Sequence, residues 1–224
     1  MRAAIMTFDG YNELDSFVAL ALLNRAAGWR AEIVSDKKRV ISMNGVGIDN
    51  AALVEGLPDY DVVLIGSGVR TQAVAADAAL MARIRLDPAR QIIGAQCSGA
   101  LLLARLGLLD DMPVCTDTTS RPFVEAAGAA VIEAPFHARG TIATAGGCMA
   151  AHYLAAWAIG MGERGGGGAR SDRLCRAGGR EGGDGGAGDG RGDALPDAAG
   201  NSCNLIRECH AGLPVRHPSG ACPA

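Results

Sequence analysis

The run Asp61-Val-Val-Leu-Ile65 is apolar at every position after its aspartate, and Gln91-Ile-Ile-Gly-Ala95 repeats the pattern. Neither alternates with a period of two, so neither can keep one face in water. A strand buried on both faces belongs in the middle of a parallel sheet, with helices packed above and below it. That single constraint predicts an α/β layering before any other element is placed.

The rest of the chain is consistent with it. Arg2–Phe8 reads as a first strand ended by the turn dipeptide Asp9-Gly10, and Glu13–Ala27 as a helix closed by Gly28. Arg30–Ser35 is a second strand, and Asn44-Gly45 inside Val40–Ile48 signals a hairpin. A helical segment is expected over Asn50–Glu55, one long helix over Thr71–Arg85, and another over Leu101–Leu109. A short helix at Arg121–Ala127, candidate strands at Val131-Ile132 and Gly140–Thr144, and a last helix from Met149 to Ile159 complete the alternation. Strands alternating with helices predict a mainly parallel central sheet.

Composition changes abruptly after that helix. Of the 62 residues from Glu163 to Ala224, 16 are Gly, and no Phe, Tyr or Trp follows Trp157. Such a segment cannot bury enough apolar surface to offset the entropy of ordering it. Two units are therefore expected, an α/β domain over 1–162 and a disordered Gly-rich tail over 163–224. The tail's mixture of Gly, Arg, Ala, Asp and Cys has no periodicity and reads like a GC-rich gene in another frame; an evolved flexible tail is the alternative. A net charge of −3 gives no electrostatic case for nucleic acid, and no apolar run reaches membrane-spanning length. Neither partner is expected, and the cytoplasm is the expected compartment. Seven cysteines in no evident framework fit thiols kept reduced.

The chemistry is expected at the end of the Gln91–Ala95 strand. Cys97 stands between that strand and the Leu- and Ala-rich helix, with Ala95 two residues before it and Gly99 two after. Small flanking residues suit a sharp strand-to-helix elbow, which lifts the central side chain into a cleft. The first turn of a helix favours an anion, so the sequence predicts a thiolate there and the most reactive of the cysteines. An inert buried thiol is the other reading. Asp15 is distant in sequence, yet both residues lie just past strand ends, where open α/β sheets gather ligands. A carboxyl group beside a thiolate is partly protonated and able to donate. A first-turn partner of the helix dipole is the alternative reading of Asp15, and Glu13 is its rival as the acid. Gly66, Ser67 and Gly68, with the Ser98 N–H, suit an oxyanion site, or no more than a tight turn. Arg70 and Thr71 are further cleft candidates. Cys115 and Cys148 read as buried thiols and His152 as a packed or surface histidine. Cys203, Cys209 and His210 match no zinc spacing, so no metal site is expected.

With these pieces in view, the chain resembles the ThiJ/PfpI superfamily from Met1 to about Met161. The stretch Ala95-Gln-Cys-Ser-Gly-Ala-Leu-Leu-Leu-Ala-Arg-Leu-Gly-Leu-Leu109 is similar to that family's cysteine elbow and following helix. Phe8-Asp-Gly-Tyr-Asn-Glu-Leu-Asp15 is similar to its loop after the first strand, whose acidic residue meets the cysteine. The Leu14-Asp15 pair most resembles the isonitrile hydratase branch, where an aspartate holds that place. The resemblance implies a flavodoxin-like, class I glutamine amidotransferase-like three-layer sandwich and, with it, a homodimer. It further implies a cofactor-independent enzyme for a small electrophilic substrate, with Cys97 as nucleophile and Asp15 as proton donor. In the isonitrile hydratase version the product is an N-substituted formamide, reached through a covalent thioimidate. A glyoxalase or deglycase-like action on 2-oxoaldehydes is the alternative, as is a non-enzymatic sensor in which Cys97 is oxidised to a sulfinic acid. There is one departure. Much of the family carries a downstream histidine in a Thr-Thr-His type phrase, whereas here Val114-Cys-Thr-Asp-Thr118 puts Asp117 near that place. No Cys–His dyad, and no peptidase role dependent on one, is expected. Nothing after residue 163 resembles a helix-turn-helix module.

Overall fold

A computed structural model describes residues 1–110 and 112–174, with side chains to Arg164. In chain order the first elements are β1 (Arg2–Met6), α1 (Glu13–Arg25), β2 (Arg30–Ser35), β3 (Arg39–Ile41), β4 (Gly47–Asp49), β5 (Ala52–Leu53) and β6 (Val62–Ile65). Then come α2 (Thr71–Ala76), α3 (Ala78–Arg83), β7 (Ile92–Gln96), α4 (Ala100–Arg105), β8 (Pro113–Val114) and α5 (Arg121–Ala126). The last are β9 (Ala130–Val131), β10 (Phe136–Arg139), β11 (Ile142–Ala145) and α6 (Ala151–Leu174). The central sheet has seven strands in the order β10-β11-β7-β6-β1-β2-β5. All neighbours in it are parallel except the edge strand β10, which pairs antiparallel with β11. The flavodoxin-like, class I glutamine amidotransferase-like α/β class is the class observed.

The two apolar runs lie at the sheet's centre, and their residues alternate between two cores. Ala4, Met6, Val63, Ile65, Ile93 and Ala95 face α4, with Val74, Leu80 and Val124 of α2, α3 and α5 in the same cluster. Ala3, Ile5, Val62, Leu64 and Ile92 face the other way, toward Ala19 and Leu23 of α1 and Leu154, Ala155 and Ala158 of α6. Gly94 fits this second layer closely: a Cβ there would stand 2.7 Å from Leu154 and 2.8 Å from Leu64.

The structure departs from these expectations in five places. Asn50–Glu55 is not helical: Ala52–Leu53 adds an edge strand beside β2, and a 3-10 turn covers Val54–Asp59, where Gly56 and Pro58 disfavour an α-helix. Thr71–Arg85 is two helices, because Asp77 leaves helical geometry at ψ 93° and its carboxylate accepts the Leu80 N–H at 3.0 Å, capping α3. The helix after the elbow ends at Arg105 rather than Leu109, with Gly107 at φ 69°. The strand β10, antiparallel to β11, was not anticipated. The last helix begins near the expected place, and its backbone runs on to Leu174 rather than stopping at Ile159. Most of the Gly-rich segment assigned to 163–224 lies outside the described residues. Among the described residues no helix is long and apolar enough to cross a membrane.

Candidate active site

Four neighbouring parallel strands end level with one another at one edge of the sheet. Met6 pairs with Ile65, Ile65 with Ala95, and Gln96 with Ala145. The residues that follow each strand therefore meet: Asn12 and Asp15 after β1, Gly66 to Gly68 after β6, Cys97 after β7 and Cys148 after β11. Here a sheet of this kind binds its ligands.

Cys97 has φ 49°, which makes it the one non-glycine residue with positive φ among those described. That conformation costs a side-chain-bearing residue about 1–2 kcal/mol, so the surroundings must enforce it. Two of them do. Gly99 is pressed so closely under β6 that a Cβ on it would stand 2.6 Å from the Gly66 carbonyl oxygen. Thr116 Oγ1 donates to the Cys97 carbonyl at 2.9 Å. The elbow expected from the small flanking residues is thus present, and the sulfur faces a cleft of about 310 Å³. Ser67, Thr71, Ser98 and Asp117 line its polar side, and Met43, Val69 and Phe123 its apolar side.

Asp15 is fully buried behind the elbow. Its carboxylate accepts the Ser67 hydroxyl on one oxygen and the Ser16 hydroxyl, at 3.3 Å, on the other. Burial pushes the carboxyl up to about 6, although the hydrogen bonds from Ser67 and Ser16 pull the other way. The cause is desolvation rather than a neighbouring thiolate, and the consequence is a carboxylic acid that can donate near neutral pH. Glu13, by contrast, turns away. It accepts from the Ser42 hydroxyl and, at 2.9 Å, from Asn44 Nδ2, pinning the β3–β4 hairpin. The Ser42 hydrogen bond holds it below the usual carboxylate range, so Glu13 stays ionised.

The thiolate expected at Cys97 is not what the surroundings favour. Burial pushes this thiol far up, and the negative charge of Asp117, then Cys148 and Asp15, push in the same direction. A helix N-terminus contributes about 0.3–1 kcal/mol, against desolvation effects of up to 3–5 pKa units at buried sites. The thiol is the resting form, and its proton has a defined acceptor, Asp117 Oδ2 at 3.2 Å. Burial raises the Asp117 carboxyl, but hydrogen bonds from Ser120 and from Cys97 outweigh it and hold the group below its ordinary value. Asp117→Asn should therefore lower the Cys97 pKa and speed its alkylation by iodoacetamide at neutral pH, about tenfold per unit. Unchanged alkylation, mapped on the Cys97 peptide, would show that the Asp117 charge does not act on the sulfur.

The other expected residues divide. Thr71 Oγ1 lies 2.7 Å from Ser98 Oγ and donates to the Gly68 carbonyl at 2.7 Å, so both hydroxyls belong to the cleft wall. The Gly66 N–H is bonded to the Met6 carbonyl at 2.9 Å, and the Gly68 N–H to Ser98 Oγ at 3.3 Å. Arg70 points elsewhere, toward Asp9 at 3.9 Å in a separate hollow of about 150 Å³. His152 Nδ1 bonds the Met149 carbonyl at 2.7 Å, and His137 lies on β10 opposite Thr144.

Two residues of the site went unread. Cys148 is not merely a buried thiol: it is half-buried, its Sγ lies 4.0 Å from Cys97 Sγ, and Asn12 Nδ2 donates to it at 2.8 Å. The sequence did carry a signal, since Gly146-Gly147-Cys148 follows a strand and opens a helix much as Ala95-Gln-Cys97 does. One ligand atom each from Asp15, Cys97 and Cys148 lie within 4.8 Å of one another, so among the described residues these three are the group able to hold a soft divalent cation.

The profile of the DJ-1/PfpI family matches residues 1–160. A ThiJ/PfpI family protein from Pseudomonas syringae is 25% identical, with a TM-score of 0.65 over 70% of this chain and 67% of that one. A cysteine-to-alanine mutant of a DJ-1 superfamily protein from Salmonella typhimurium is 20% identical, with a TM-score of 0.60 over 69% and 86%. An oxidised DJ-1 from Toxoplasma gondii is 21% identical, with a TM-score of 0.60 over 70% and 88%. The last two likenesses concern the fold alone. No curated protein matches the sequence.

Proposed function

The chain belongs to the DJ-1/PfpI family, and on that premise we propose that it hydrates a small isonitrile to an N-substituted formamide, with Cys97 as nucleophile and no cofactor. The observation that carries the proposal is the pair of carboxyl groups about one sulfur. Asp117, held ionised, accepts the thiol proton at 3.2 Å, while Asp15, raised to about 6, has a proton to give in a fraction of molecules that grows as pH falls to that value. An isonitrile carbon needs both at once: a sulfur to bond to it and a proton to end the carbanion character that addition creates.

In the first step the Cys97 proton passes to Asp117 as sulfur bonds to the terminal carbon, and Asp15 protonates that carbon. The product is a thioimidate, S–CH=N–R. Water then adds to the same carbon, giving one proton to Asp15 while Asp117 returns its proton to nitrogen. Collapse of the adduct breaks the S–C bond, the hydroxyl proton moves to the departing sulfur, and the formamide leaves. Both carboxyl groups and the thiol return to their starting states. The apolar rim of Met43, Val69 and Phe123 suits the substituent carried on nitrogen.

Purified full-length protein, given isonitriles, methylglyoxal and a peptide in parallel, tests the reading. Formamide production lost in Cys97→Ser supports it. Consumption of methylglyoxal in place of isonitrile would transfer the site to 2-oxoaldehydes, and turnover that survives in Cys97→Ser would remove Cys97 from the chemistry.

A further inference from the structure

We propose that Cys97 and Cys148 form a reversible intrachain disulfide, with Cys148 resolving a sulfenic acid formed on Cys97. The inference rests on Cys97 being the reactive thiol of the cleft and adds a second, oxidative chemistry to it. The two sulfurs are 4.0 Å apart, with the Cys148 S–H directed at Cys97. Closing that gap to the roughly 2.05 Å of a disulfide requires Cys148 to move. Its setting permits movement. Gly147 directly precedes it, and the position of a Cβ there has no atom within 4 Å, whereas Gly146 before it is packed against the Ala134 and Thr116 carbonyls. The next residue, Met149, is 76% exposed. Asn12 Nδ2 donates to the Cys148 sulfur at 2.8 Å.

Electrostatics separate this outcome from the further oxidation of a lone cysteine. A sulfinic acid on Cys97 would place a permanent anion beside Asp117, 3.2 Å from the present sulfur, and near the buried Asp15. A disulfide carries no charge, so it is the oxidised form that these carboxylates disfavour least. The steps balance with a hydroperoxide as oxidant. Sulfur of Cys97 takes one peroxide oxygen, its proton leaves through Asp117 to the departing alcohol or water, and Cys97–SOH remains. Cys148 sulfur then bonds to Cys97 sulfur, the S–O bond breaks, and hydroxide leaves as water with the Cys148 proton. The peroxide has gained two electrons and the dithiol has lost them. An external dithiol reverses the bond by exchange.

Peptide mapping after mild hydrogen peroxide treatment of the full chain tests this, because trypsin places the two sulfurs on separate peptides, Gln91–Arg105 and Gly140–Arg164. The expected result is one cross-linked species joining them, lost on treatment with dithiothreitol. In Cys148→Ser the same dose should instead add about 32 Da to the Cys97 peptide, irreversibly. A wild type that acquires that sulfinic mass without the cross-link would overturn the proposal. So would a Cys97 peptide left unmodified while isonitrile turnover proceeds, an outcome that leaves the proposed activity standing. Conversely, the cross-link forming in a protein that turns over no isonitrile would uphold the disulfide and reject the hydratase.

Discussion

Wild-type kcat/KM for isonitrile hydration should fall about tenfold for each unit of pH above roughly 6, and Asp15→Asn should lower it by about 10²–10⁴-fold. The sign follows from the role. Asp15 must carry a proton to give one, and the active fraction is the protonated fraction, full well below the folded pKa and lost as pH rises through it. Burial sets that pKa at about 6, so the limb belongs there rather than near the ordinary aspartate value of 3.8. An asparagine keeps the shape of the side chain and part of its contact with Ser67 and Ser16, but it has no proton of suitable acidity. The variant should therefore be slow at every pH, with the limb near 6 gone. Glu13→Gln is the control. It disturbs the contacts of Glu13 with Ser42 and Asn44, which steady the β3–β4 hairpin, while Asp15 remains. Its expected profile keeps the limb near 6. A Glu13→Gln enzyme that loses the limb, beside an Asp15→Asn enzyme that keeps it, would reverse the assignment of the acid.

What could be read from the sequence divides along one physical line. Features fixed by local chemistry were legible: the doubly buried strands from unbroken apolar runs, the elbow from Ala95 and Gly99 about Cys97, and the nearness of Asp15 from its place past a strand end. Features fixed by which strands become neighbours were not. Cys148 and Asn12 are 136 residues apart and touch because β11 lies two strands from β6, with β7 between, and β1 beyond it. No pattern in the chain states that order. The ionisation of Cys97 was misread for a related reason. The helix terminus that favours a thiolate is local and visible, whereas burial and the approach of Asp117 from 20 residues away are tertiary, and they are larger. Asp77 shows the reverse, a local capping residue inside the segment Thr71–Arg85 expected as one long helix.

The second large effect is expected at Gly99, whose glycine is required by space and not by backbone conformation. Its φ of −57° and ψ of −23° are ordinary helical values that alanine adopts freely. Yet a Cβ there would stand 2.6 Å from the Gly66 carbonyl oxygen and 2.9 Å from that of Ile65. Both atoms are backbone at the end of a central, fully buried strand, so neither can rotate aside. In Gly99→Ala the elbow must lift off β6, and the constraint that holds Cys97 at φ 49° is released with it. Overpacking of this kind costs about 1–3 kcal/mol or more, a fall in Tm of roughly 2–12 °C for a domain of this size. Turnover should fall further than stability suggests, by at least about 10²-fold, because displacing a nucleophile by an ångström costs that much even in a folded enzyme. Gly128→Ala separates the two kinds of glycine. Its φ is +93° with nothing within 4 Å of the added carbon, so alanine there should cost only about 1 kcal/mol and leave turnover unchanged. Thermal melts and turnover of the two variants side by side decide the matter. A Gly99→Ala protein as stable and as active as Gly128→Ala would mean that the elbow does not depend on its close approach to β6.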